Sequence, residues 1–256
     1  MNPELIVKSA LDIGAAMLKS GAETIRVEDT VARICRTYYK GRLEVTSYLS
    51  AIFVSMEVTD WCEDMNCPMI VTQHRRVSSV SNNLYLLEEL NALSRYICDN
   101  APAPEDIDLK LQAIIHTAPG IRRTLLGYIC ASGGFTVFFG GTISDAVCCA
   151  LISIMMYFWD KHLKDRMNNE LIHNFLLSFL TGLAACLLQL SPLPVHMDKI
   201  MIGAVMLLIP GVALTNSLRD LLTGDLVSGS LKLLNSILLA VAIAMGFALA
   251  MFITGV

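Results

Sequence analysis

From Leu5 to Lys19 the apolar residues Leu5, Ile6, Ala10, Ile13, Met17 and Leu18 recur at helical spacing, which predicts an amphipathic helix. Ser20-Gly21-Ala22-Glu23 then has the Ser-x-x-Glu form of a capping box, in which hydroxyl and carboxylate each satisfy a helix-start N–H. It predicts a second helix from there to about Tyr39, ended by Lys40-Gly41. Val45 to Val58 and Met69 to Val77 are rich in β-branched and aromatic residues without a helical stripe. With the turn-like run Asp60 to Pro68 between them, they predict an antiparallel hairpin. Helical spacing returns from Asn82 to Asp99 through Leu84, Leu87, Leu90, Leu93 and Ile97. After Ala101-Pro102-Ala103-Pro104 another helix runs to about Thr117. The order ααββαα predicts a small α+β domain.

Beyond Pro119-Gly120 five apolar stretches follow: about Thr124 to Phe139, Ile143 to Trp159, Leu171 to Leu190, Ile200 to Ser217 and Leu233 to Ile253. A straight helix needs roughly 20 residues to cross hydrocarbon, so the first two are short, either thinly spanning or re-entrant at their ends. Charge follows the same division. Residues 1–120 hold 11 Lys+Arg and 16 Asp+Glu, which leaves 8 and 7 for the rest of the 256 residues. With 54% hydrophobic residues and a mean hydropathy of +0.57, the chain is not a purely soluble protein. The expected fold is an integral membrane α-helical bundle of five transmembrane helices, residues 121–256, with an N-terminal cytoplasmic α+β domain, residues 1–120.

A net charge of −4 without a clustered basic face excludes a nucleic-acid partner and leaves the lipid bilayer as the first one. Glu4, Lys8, Asp12 and Lys19 interrupt the first 20 residues, so no cleavable signal is expected and the N-terminus stays in the cytoplasm. Arg122 and Arg123 precede the first stretch, Lys161, Lys164 and Arg166 lie between the second and third, and Arg219 follows the fourth. The Gly140-Gly141-Thr142 connection has no cation, and Lys199 alone borders the Ser-Pro-Leu-Pro linker. Because cations are retained on the cytoplasmic side, this alternation puts the N-terminus inside and the C-terminus outside the inner (plasma) membrane.

The eight cysteines contain no Cys-x-x-Cys pair, which favours small buried residues in a reducing compartment over a metal or redox site; Cys62-x4-Cys67 is the nearest approach. Neither a metal nor a cofactor is implied. Ser, His and Asp are all present, so a membrane-embedded hydrolase is one alternative function. Against it, there is no Gly-x-Ser-x-Gly elbow and no His-Glu-x-x-His, and the five histidines are scattered. A membrane sensor that uses the N-terminal domain as ligand receiver is another, with no legible effector site.

Three places carry candidate chemistry. Pro210 removes a backbone donor and Gly211 loosens the same turn, so the fourth stretch should kink or break and expose carbonyls, as helices do where they line a transporter cavity. Downstream, Thr215 and Arg219 share one helical face and Asn216 and Asp220 the next, while Ser228, Lys232 and Asn235 continue a polar stripe. The bland alternative is a Pro kink beside a charged loop. Asp145, at the start of the second stretch, is either a helix N-cap or an ion or proton site. On the second helix Asp29 and Arg33, and Arg26 and Thr30, stand four apart. That is a solvated face with local ion pairs, or a face whose Arg26, Glu28 and Arg33 dock against the membrane half.

The sequence resembles the threonine/serine exporter family over nearly its whole length. The matching pieces are Ser20-Gly-Ala-Glu-Thr-Ile-Arg-Val-Glu-Asp-Thr-Val-Ala-Arg33, then Gly140-Gly141 with Asp145, and then Pro210-Gly211 with Leu214-Thr-Asn216, Asp220, Gly224-Asp225 and Ser228-Gly229. The likeness is closest to the split form, whose second, smaller membrane subunit is separately encoded, and a homo-oligomer is the rival assembly. The resemblance implies a secondary transporter, not an enzyme, that exports small polar or anionic metabolites: threonine and serine, or dicarboxylates such as succinate. Pro210, Gly211, Thr215, Asn216, Arg219, Asp220, Asp225, Ser228 and Gly229 are expected to line or gate the path. Arg219 either holds an anionic group or pairs with Asp220 or Asp225.

Overall fold

A computed structural model describes residues 2–58, 69–77, 82–117, 120–164, 166–167, 169–189 and 194–255. The chain forms two compact units, one of Met1–Ala118 with Val212–Leu233, the other of Pro119–Gly211 with Leu234–Val256.

In the first unit, α1 (Pro3–Lys19) and α2 (Thr24–Tyr38) precede a three-stranded antiparallel sheet, β1 (Leu43–Tyr48), β2 (Ala51–Val58) and β3 (Met69–Arg76), in the order β1-β2-β3. Then come α3 (Leu84–Asn100) and α4 (Pro104–Ile115). Strand β2 buries Ile52, Val54, Met56 and Val58, every second residue, because alternate side chains leave opposite faces of a strand. These meet Leu11 and Met17 of α1, Val31 of α2 and Leu90 of α3 in one apolar core. The unit is completed by α9 (Gly211–Leu222) and the first residues of α10 (Leu226–Thr254). The polarity of α9 is inverted: Ser217 and Asp220 are buried, while Leu218 and Leu222 are 52% and 88% exposed.

Two sequence expectations change here. Val45 to Val58 is not one strand, since Leu49-Ser50 turns the chain so that Tyr48 pairs with Ala51. The expected hairpin is therefore a three-stranded sheet, and its turn at 60–68 lies outside the described residues. The Ser20–Glu23 capping box does not form either. Gly21, at φ +88°, terminates α1, with its N–H on the Leu18 carbonyl and that of Ala22 on Met17, and the Ser20 hydroxyl bonds the Ala16 carbonyl. Glu23 is the N-cap of α2 but makes no side-chain cap bond.

The second unit packs α5 (Ile121–Phe138), α6 (Ile143–Lys164), α7 (Glu170–Gln189), α8 (Met197–Val205) and the remainder of α10. Its core is built of small side chains, with Cys148, Cys149, Ala185 and Ala204 around Ile152 and Ile200. Large apolar residues face outward, Phe138, Ile143 and Phe252 among them, an inside-out distribution that suits lipid rather than water. The buried hydroxyls of Thr136, Ser153, Ser178 and Thr181 each bond a carbonyl three or four residues earlier on their own helix.

Three helices among the described residues, α6, α7 and α10, are long and apolar enough to cross a membrane. The other two of the five stretches expected to span, those beginning at Thr124 and Ile200, do not form helices that meet this length and composition among the described residues. Arg122 and Arg123 with Gly127, Gly133 and Gly134 dilute the apolar character of α5, and the fourth stretch is split into α8 and α9 by Met206 to Pro210.

Close approach in the second unit depends on Gly203 of α8. A Cβ there would collide with the Thr136 hydroxyl and sit 2.8 Å from the Ser132 carbonyl oxygen and 3.0 Å from Cys149 Sγ. Gly203→Val should therefore cost about 1–3 kcal/mol by overpacking, read as a lower thermal unfolding midpoint in detergent. An unchanged midpoint would show that α5 and α8 can separate freely.

Candidate functional site

The corner between α1 and α2 presents Gly21, Glu23 and Thr24 to the polar face of α9. Asn216 donates from Nδ2 to the Gly21 carbonyl at 3.0 Å, and Arg219 pairs with Glu23 at 2.8 Å. The centre is Asp220, 1% exposed, whose carboxylate accepts Lys232 Nζ of α10 at 2.7 Å and the Thr24 hydroxyl at 3.3 Å. Lys232 Nζ also donates to Thr24 Oγ1 at 3.0 Å, so acid, base and hydroxyl form a closed triangle. Behind Thr24, its carbonyl accepts the Ser47 hydroxyl at 3.3 Å, and the Ser47 N–H donates to Glu28 at 2.7 Å. Burial raises the Glu28 carboxyl above its ordinary value, and the Asp225 charge adds to this against the Ser47 bonds.

Local chain chemistry fixes this arrangement. Gly224, at φ +96°, ends α9 and returns the Asp225 N–H to the Asp220 carbonyl at 2.9 Å. Asp225 Oδ1 then caps α10 by accepting the Ser228 N–H at 3.1 Å. A Cβ on Gly229 would press on the Leu221 backbone at 2.9 Å, so glycine lets the α9–α10 hairpin close. Two glycines and an aspartate thus bring Asp220 and Lys232, twelve residues apart, into contact.

Of the residues singled out in the sequence, Asn216, Arg219, Asp220, Asp225, Ser228 and Gly229 come together here. Thr215 lies on the exposed side of α9, and Pro210 and Gly211 fall in the second unit. Arg219 takes neither Asp220 nor Asp225 but Glu23, in a pair whose Arg is 65% exposed and so contributes little. Arg33 pairs with Asp29 on its own helix at 2.8 Å, Arg26 is exposed, and Glu28 serves Ser47. Sequence reasoning missed Gly21, Glu23 and Thr24 as site residues, although they lie within the first segment that carries the family resemblance.

In the second unit Asp145 is wholly buried and its carboxylate accepts four hydrogen bonds. Its carboxylate accepts the Thr142 N–H and hydroxyl at 2.8 Å each, the His196 N–H at 2.7 Å and His196 Nδ1 at 3.0 Å. Thr142 Oγ1 in turn accepts the Asp145 N–H at 3.3 Å, so Thr142 is the cap and Asp145 the third residue of a reciprocal box. The carboxylate therefore clasps the starts of α6 and α8. At the far end of α6, Asp160 pairs with His173 at 3.3 Å and Lys164 at 3.0 Å.

Asp145→Ala takes the charged acceptor from the Thr142 and His196 N–H groups, at ~1.5–3 kcal/mol for each bond lost. Its unfolding midpoint should fall well below that of His196→Ala, which keeps the backbone bond. Equal midpoints for both variants would show that the clasp carries no load.

No curated protein and no solved structure matches the chain. The family model described as "Putative threonine/serine exporter" matches residues 8–254, covering both units and all the residues above. By that match the chain belongs to the threonine/serine exporter family, a family of membrane transporters.

Proposed function

We propose that the chain is a secondary transporter that exports threonine and serine across the inner (plasma) membrane. The family match over residues 8–254 carries this reading. Three long apolar helices and a buried acid–base–hydroxyl cluster, next in sequence to the Pro210-Gly211 break, support it. The apolar stretches beginning at Thr124 and Ile200 complete five crossings, and the loop cations put the N-terminus inside and the C-terminus outside. In this reading Pro210, Gly211, Thr215, Asn216 and Asp220 line or gate the path, since backbone freed by the break must be satisfied by protein or solute rather than lipid. The likeness to the split form extends it to a second, smaller membrane subunit.

Cysteines introduced at Lys161 and Thr254 should be labelled by an impermeant reagent from opposite sides of the membrane, Thr254 from outside. Labelling of both from outside would sink the topology. For transport, cells preloaded with labelled threonine, serine or succinate should release the amino acids faster when they produce this chain, and faster still with a small membrane subunit of the split form. Release of succinate alone would replace the amino-acid reading with a dicarboxylate one, and release of none would remove the transport reading.

A further inference from the structure

Asp220 and Lys232 lie 2.7 Å apart with their side chains 2% and 10% exposed, and Thr24 bonds both. Burying such a pair costs in desolvation about what its attraction returns, so an apolar pair would hold the helices as well. Two neighbouring features have no structural use. The Ser228 hydroxyl, one helical turn before Lys232 on α10, is fully buried and has no hydrogen-bond partner. Thr24 opens α2 beyond a Glu23 that leaves the helix start without a side-chain cap, so partial positive charge from the first N–H groups lies beside the pair.

We propose that Asp220, Lys232, Thr24 and Ser228 form a binding site for a zwitterionic 2-amino acid with a β-hydroxyl, and that the observed ion pair is its ligand-free form. This rests on the export reading and fixes where the exported molecule binds. The ligand ammonium replaces Lys232 Nζ at Asp220. Its carboxylate takes Lys232 and the start of α2, and its hydroxyl gives Ser228 Oγ the partner it lacks. One zwitterion thus exchanges for one internal ion pair and leaves no buried charge unpaired. A dicarboxylate brings further negative charge to a place that already holds Asp220, with Glu28 and Asp225 nearby. The site chemistry thereby selects between the two substrate classes that the family resemblance leaves open.

The test is equilibrium binding of L-threonine, L-2-aminobutyrate and succinate to the full chain in lipid nanodiscs. Wild type should bind threonine, should bind 2-aminobutyrate roughly tenfold or more weakly because Ser228 stays unpartnered, and should not bind succinate. The double variant Asp220→Asn with Lys232→Met removes both charges together and so leaves no orphan ion; it should keep its unfolding midpoint and lose threonine binding. Ser228→Ala should bring the threonine to 2-aminobutyrate affinity ratio close to one, and it decides the matter if the double variant does not fold. A folded double variant with wild-type threonine affinity, a Ser228→Ala chain with the wild-type ratio, or preference for succinate would each overturn the site. If the double variant also exports labelled threonine at the wild-type rate, the site falls and the export reading stands. If wild type neither binds nor exports threonine or serine, both fall.

Discussion

A polar group taken out of water must find its partner within the chain, and most of the structure follows from that constraint. Inside the second unit it sets the form of every interior hydroxyl described: Thr136, Ser153, Ser178 and Thr181 turn back onto carbonyls of their own helices, so they pack as small apolar residues would. Where the group is a carboxylate, one carbonyl-directed bond is no use, and the chain supplies four donors to Asp145 from two elements. In the first unit the same constraint draws Lys232 and Thr24 to Asp220. Among the buried side-chain nitrogens and oxygens of the described residues, Arg75 Nε and Ser228 Oγ escape it.

The same constraint explains which features were legible in the sequence. Helices with a one-sided apolar stripe, such as α1 and α3, could be read because burial of one face needs only local spacing. The interruption at Pro210 was legible because a proline lacks the donor that a continuous helix requires. Capping was legible only in part: Ser20-x-x-Glu23 satisfies the pattern of a helix start, but Gly21 next to Ser20 closes the preceding helix instead, and the pattern carries no information on which of two helices a hydroxyl serves. Leu49-Ser50 turns the sheet without glycine, asparagine or proline, so nothing local announced it.

Partnerships across long sequence separations were the least legible. Asp145 was visible as an unusual acid, yet the His196 that completes its shell is 51 residues away and looked like one of five scattered histidines. Arg219 had two acids within reach on its own segment, and the structure gives it Glu23, 196 residues earlier. Spacing rules describe neighbours on one helix and are silent on which surfaces fold together. The family resemblance did hold that information in another form, since its first and last segments are the two that meet at Asp220.

The first unit is discontinuous in sequence, and this governs the order in which the protein can be made. Met1–Ala118 leaves the ribosome first, but Thr24 waits for a lysine 208 residues later. At ordinary synthesis rates of about 5–20 residues per second, the interval before Leu233 appears is roughly 6–23 s. During that time the α1–α2 corner has neither Asp220 nor Asn216 against it, while the apolar helices α5 to α8 are already seeking lipid. Completion of the first unit thus has to follow synthesis of α5 to α8, and until then the nascent corner leaves Thr24 without its acid and base.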